Sequence, residues 1–173
     1  MRKNFFYTVM MMAVMAVVTI SFTACGGGDD DPLTENSQNK QDPDDISVYI
    51  WPCMQWGCSL SDIKTYMASS SMVITEEREG ILIYQTTDRK YVIGYGLDNN
   101  SYINFQAVFT GYSQKKMNNI KDKFKKDYGL SFEDNGYGEV WRAVGTINGK
   151  NCEVKIWRVQ SPSSIIVDVF ILN

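Results

Sequence analysis

The 173 residues contain no histidine. Its absence removes the commonest general base at neutral pH, the imidazole metal ligand, and every Ser-His or Cys-His nucleophile arrangement. Cysteine is scarce as well: beyond Cys25 the chain holds only Cys53, Cys58 and Cys152. Three thiols without an imidazole fall short of the four ligands of a structural zinc site, so neither a metal nor any other cofactor is expected. Charge of one sign is lacking too. The formal net charge is −3, from 17 cations and 20 acids. Two cations fall in the first 25 residues, and Lys40 with seven acids falls in 26–47, which leaves 14 cations and 13 acids for 48–173. A folded part so near neutrality has no basic footprint for nucleic acid.

The sequence does have a secretory opening. Arg2 and Lys3 precede an apolar run from Phe5 through Phe22, and small residues then lead to Cys25. This layout is that of a signal segment, 1–24, and not of fold. The strongest apolar stretch, Val9 to Ile20, is short for a bilayer crossing, and glycine and aspartate follow it where a stop-transfer helix would carry cations.

Phe22-Thr23-Ala24-Cys25 resembles the lipobox of bacterial lipoproteins, with Phe22 where that family usually has leucine. The resemblance implies cleavage before Cys25 and acylation of that cysteine, so contact with the membrane is through a lipid anchor. The Gly26-Gly27-Gly28-Asp29-Asp30-Asp31 run after it looks like the export signal of Bacteroides-type surface lipoproteins. It implies outer-membrane anchorage on the cell surface, the alternative being a domain facing the periplasm. Several acyl chains, at about 0.8 kcal/mol per buried methylene, anchor durably without a spanning helix.

From Gly26 to Ile46 there is little large apolar surface to offset ordering entropy, so 25–47 is expected to be a flexible acidic tether. Its aspartate clusters lack the alternating spacing and turn glycine of a calcium loop. A single globular domain is expected over 48–173. Ser59 and Asp62 form a capping box ahead of Leu60, Ile63 and Met67. Strands are expected at 81–85, 91–97 and 102–109, rich in Ile, Val, Tyr and Phe and divided by polar turns. Ser113 opens a second helix with Met117, Ile120, Phe124 and Tyr128 at helical spacing, and Gly129 stops it. Strands at 139–146, 150–159 and 165–172 follow. The expectation is an α+β fold of two tandem αβββ units, about 56–110 and 111–173, forming an antiparallel sheet with two helices packed on one face. In topology alone this is similar to the tandem-repeat fold of the β-lactamase-inhibitor-protein type, which transfers no site.

Asn148-Gly149 is the strongest hairpin signal, and a two-residue loop there fixes the register. Trp141, Ala143 and Gly145 then oppose Ile156, Val154 and Cys152 on the core side. The other side carries Val140, Arg142 and Val144 opposite Trp157, Lys155 and Glu153, with Asp168 and Phe170 beside them. Arg142, Glu153, Lys155, Trp157 and Phe170 are therefore the candidate contact surface for another envelope protein or a glycan, and the chain reads as a non-enzymatic binding module. The rival is a carboxylate-dependent hydrolase acting on a glycan, with Glu76, Glu77, Glu79, Glu133 and Asp134 as its acids. Solvated loop charge is the plainer account of those five. Gly94-Tyr95-Gly96 and Gly136-Tyr137-Gly138 lack the strand-to-helix setting of a phosphate cradle. Trp51, Trp56, Tyr84, Tyr91, Tyr95 and Trp157 suit either a stacking platform or core filling. Cys53 and Cys58 suit either a disulfide outside the cytoplasm, leaving Cys152 free, or packing as small hydrophobes.

Overall fold

In the computed structural model, which describes residues 42–135 and 137–172, the first helix forms where its cap stands. The expected signal segment, Cys25 and most of the expected acidic tether lie outside the described residues. Ser59 Oγ accepts from the Asp62 N–H at 3.2 Å and the Asp62 carboxylate accepts from the Ser59 N–H at 2.8 Å, which starts helix α1 (Leu60–Met67). Helix α2 (Gln114–Tyr128) opens on a serine cap alone, with the Lys116 N–H donating to Ser113 Oγ at 2.9 Å. It ends at Gly129 in the left-handed conformation, with Lys125 and Lys126 over its negative C-terminal end.

Eight strands complete the described residues: β1 (Met72–Arg78), β2 (Ile81–Thr86), β3 (Tyr91–Asp98), β4 (Ser101–Thr110), β5 (Glu133–Asp134), β6 (Val140–Ile147), β7 (Lys150–Val159) and β8 (Ser164–Ile171). All pair antiparallel in one sheet, in the order β1-β2-β3-β4-β8-β7-β6-β5. The hairpin register holds throughout: Val140 opposes Trp157, Arg142 opposes Lys155 and Ile147 opposes Lys150. Asn148 and Gly149 both take positive φ, 45° and 80°, as a turn matched to the twist of its strands requires.

The expected α+β fold of two tandem αβββ units does not stand. The described residues are β-rich, one eight-stranded antiparallel sheet with two helices, and four strands follow each helix. Pairing of β4 with β8, from Asn104↔Phe170 to Thr110↔Ser164, makes the two halves one continuous sheet rather than separate units. The strands missing from the expectation are the two edges. On β1 a bulge between Ile74 and Glu76 breaks the alternation, and Glu76, Glu77 and Arg78 resemble loop charge. Charge on an edge strand opposes pairing with another sheet, and here Glu77 binds Lys64 at 2.6 Å and Glu76 binds Arg78 at 2.7 Å. β5 has only two residues, both charged and exposed.

Side chains of the sheet divide between two apolar clusters. The larger holds the buried side chains of both helices, Ile63, Met67, Met117, Ile120 and Phe124, against Tyr95, Tyr102, Phe105, Val154, Ile156 and Val167. The smaller, Ile81, Ile83, Val92, Val108 and Ile166, lies on the opposite face and takes nothing from either helix. The sheet thus has a helix face and a helix-free face.

Residues 42–58 form a strap on the helix face. Asp42 pairs with Lys115, Asp44 accepts from Ser113 Oγ at 2.6 Å, and Ile46 is buried, so the folded part includes residues whose acidic composition suits a tether. Farther along, Tyr49 lies 4.8 Å from Tyr91, Trp51 meets Phe124 edge-on at 5.6 Å, and the Cys53 N–H donates to Tyr95 Oη at 3.0 Å.

Candidate functional site

Alternation along β4, β6, β7 and β8 sends every second side chain to the helix-free face, and the antiparallel register lines these up in rows. One row runs Gly94, Gln106, Asp168, Lys155 and Arg142 across five strands, the next Gly96, Asn104, Phe170, Glu153 and Val144. Four of the five expected contact residues meet there. Glu153, buried to 4 % exposure, is held between Arg142, whose Nε reaches its Oε1, and Lys155, whose Nζ is 3.5 Å from its Oε2. The same Lys155 ammonium stands 5.2 Å over the Phe170 ring. Trp157, the fifth, lies one register step away and packs against the smaller apolar cluster.

Gln106 and Asp168 extend this group inward. Gln106 Nε2 donates to Asp168 Oδ1 at 2.7 Å, and each residue is 3 % exposed. Burial pushes the Asp168 carboxyl from 3.8 up to about 6, and the Gln106 hydrogen bond, the Lys155 charge and the Trp157 indole oppose that rise only in part. Gln106 Oε1, Gln85 Nε2 and Asn104 Oδ1 are buried with no hydrogen-bond partner among the described residues. A buried carboxylate among unsatisfied amides is costly for a sheet to keep. Chemically the face offers one acid that titrates near pH 6, one ion-paired carboxylate, two cations and two aromatic rings. Gln106 and Asn104 were absent from the sequence expectation. Their signal is two polar residues two places apart, Asn104 and Gln106, inside the otherwise apolar run Tyr102 to Phe109.

The rival acids do not assemble. Glu76 and Glu77 lie on β1 and Glu133 and Asp134 on β5, the two edges of the sheet with six strands between them. Glu79 sits in the turn after β1. The aromatic candidates separate as well. Tyr84, Tyr91 and Tyr95 are core, Trp56 stacks on Tyr102, and Trp51 lines a cleft of about 230 Å³ with Tyr66, Phe124 and Tyr128. The polar groups at that cleft serve each other: Lys123 binds Asp127 at 2.8 Å and lies 5.1 Å over the Trp51 ring. Among the described residues no group of three or more Cys, Asp and Glu side chains is placed to hold a metal ion. No described helix is long and apolar enough to cross a membrane. No protein-family model, curated protein or solved structure matches the chain.

Proposed function

We propose that this is a cell-envelope protein held in the outer membrane by acyl chains on Cys25, and that its helix-free sheet face is a non-enzymatic binding surface for another envelope protein or a glycan. The observation that carries the binding reading is the row Gln106-Asp168-Lys155-Arg142 with Trp157 and Phe170 beside it, on the face from which both helices are absent. Buried polar groups that weaken a sheet are retained where they meet a ligand, and aromatic and arginine side chains are the usual anchors of such contacts. Scattering of Glu76, Glu77, Glu133 and Asp134 to opposite edges favours binding over carboxylate-dependent glycoside hydrolysis, whose usual form places two carboxyl groups across one substrate. Anchorage rests on Phe22-Thr23-Ala24-Cys25, and a surface position on the glycine and aspartate run after it.

Two measurements test the two halves. Cys25→Ala is expected to move the protein from the membrane pellet to the soluble fraction; a variant that pellets like wild type sinks the anchor. For the face, immobilised outer-membrane extract and a glycan array are probed with wild type, Trp157→Ala and the doubly substituted Arg142→Ala, Lys155→Ala protein. Either change is expected to weaken binding by tenfold or more, a loss of about 1.4 kcal/mol, measured well below the Tm of each variant because removing both cations leaves the buried Glu153 without a counter-charge. Equal binding by all three would remove this face as the contact surface.

A further inference from the structure

We propose that Cys53 and Cys58 are a dithiol pair that closes into a disulfide in an oxidising compartment, fastening the strap to the start of helix α1. The two sulfurs lie 3.7 Å apart and both residues are buried at 8 % exposure. A covalent S–S bond is near 2.05 Å, so closure asks for about 1.7 Å of approach between atoms already in contact. The backbone at each end is fixed by contacts that owe nothing to the bond. On one side the Cys53 N–H donates to Tyr95 Oη at 3.0 Å. On the other, the Gly57 N–H donates to the Tyr102 carbonyl at 3.0 Å and the Cys58 carbonyl accepts from the Tyr102 N–H at 3.0 Å. Gly57 makes the turn between them at φ +78°, a conformation that a side chain would strain. Little ordering remains to oppose closure. Cys152 is the internal control: it is fully buried, and its thiol donates to the Lys150 carbonyl at 3.3 Å.

Closure is an exchange with an external disulfide. One thiolate of the pair attacks a sulfur of that disulfide and displaces a first thiol; the other thiolate then attacks the protein sulfur of the mixed disulfide and displaces a second. The protein loses two electrons and two protons, and the external disulfide is reduced to two thiols. Burial and the neighbouring Cys53 sulfur push the Cys58 thiol up to about 12, so little thiolate is present in the folded state and exchange there is slow. The bond therefore forms as the chain folds.

The pair draws its natural oxidant from the proposed export but owes nothing to the proposed binding face, and two arms keep these readings apart. In the first, full-length lipidated protein is unfolded with reductant and refolded in mixed oxidised and reduced glutathione. In the second, the same protein is extracted directly from cells. Free thiols in both are blocked with N-ethylmaleimide in denaturant, the rest are reduced and labelled with iodoacetamide, and the peptides are mapped. After refolding, Cys53 and Cys58 are expected to carry iodoacetamide and Cys152 maleimide, with an intact mass lower by two hydrogens and a Tm that falls on reduction. Cys152→Ser is expected to leave this pattern unchanged. Maleimide on both Cys53 and Cys58 after refolding, retained glutathione on either, or a link to Cys152 overturns the pair. A bond in the first arm that is missing from the second supports the pair and counts against export.

Discussion

Replacing Asp168 with asparagine is expected to stabilise the protein at pH 7.5 by about 3 kcal/mol, a Tm rise on the order of 10 °C for a domain of this size. The unfolded chain titrates this carboxyl near 3.8, and the folded protein near 6, because burial disfavours the charged form. The native state therefore holds the proton more tightly than the unfolded state. Below about pH 3.8 both states are protonated and the group costs nothing. Between about pH 4 and 6 stability from this group falls as pH rises, and above pH 6 the deficit is constant at roughly two units of 1.36 kcal/mol each. Asparagine removes the titration and keeps an oxygen for Gln106 Nε2. Urea unfolding at pH 4, 5, 6 and 7.5 should show wild type losing ground to the variant across that window and the two differing least at pH 4. A wild type at least as stable as Asp168→Asn at pH 7.5 would mean that Lys155 fully compensates the buried charge. A carboxylate kept at such a cost has to be accounted for by something other than stability, and contact with a ligand on this face is one such account.

How much of this was legible follows from which signals are local. Asn148-Gly149 imposes positive φ at two successive residues, so the register of β6 on β7, and with it the shared face of Arg142, Glu153, Lys155 and Trp157, follows from a dipeptide and a period of two. The caps at Ser59, Ser113 and Gly129 are equally local: both helices begin, and α2 ends, where those residues stand. What was not legible depends on partners far along the chain. Glu76 and Glu77 are charged whether they lie in a loop or on an edge strand, and only pairing with β2 decides which. Asp42 and Asp44 suit a solvated tether until Lys115, Ser113 and Asn119, some 70 residues on, supply partners. Gln106 shows its polar alternation in the sequence, but its hydrogen bond to Asp168 depends on β4 lying beside β8, which joins the two halves of the sheet.

Trp56→Ala is expected to cost about 3 kcal/mol and to loosen the strap before the sheet. The Trp56 ring stacks on Tyr102 with centroids 4.9 Å apart and planes 11° from parallel, and its Nε1 donates to the Ile147 carbonyl at 2.8 Å. One side chain thus ties the strap to β4 and to the β6–β7 hairpin, which Asn148 reinforces by donating to the Met54 carbonyl at 2.9 Å. Truncating a fully buried tryptophan costs about 3–5 kcal/mol, and partial exposure of Trp56 places it at the lower end. Trp56→Phe separates the two contributions: it keeps a ring on Tyr102 and gives up only the hydrogen bond, about 1 kcal/mol. Urea unfolding measures both costs, and hydrogen exchange locates them. In Trp56→Ala the amides of Cys53 and Gly57, which donate to Tyr95 and Tyr102, should exchange faster while those in the centre of β3 and β4 keep their protection. Uniform loss of protection instead would mean that strap and sheet open as one cooperative unit. A pull through the leader at Asp42 would then reach the helix-free face through the whole sheet. If the strap opens alone, the sheet keeps the proposed contact residues in register while residues 42–58 move.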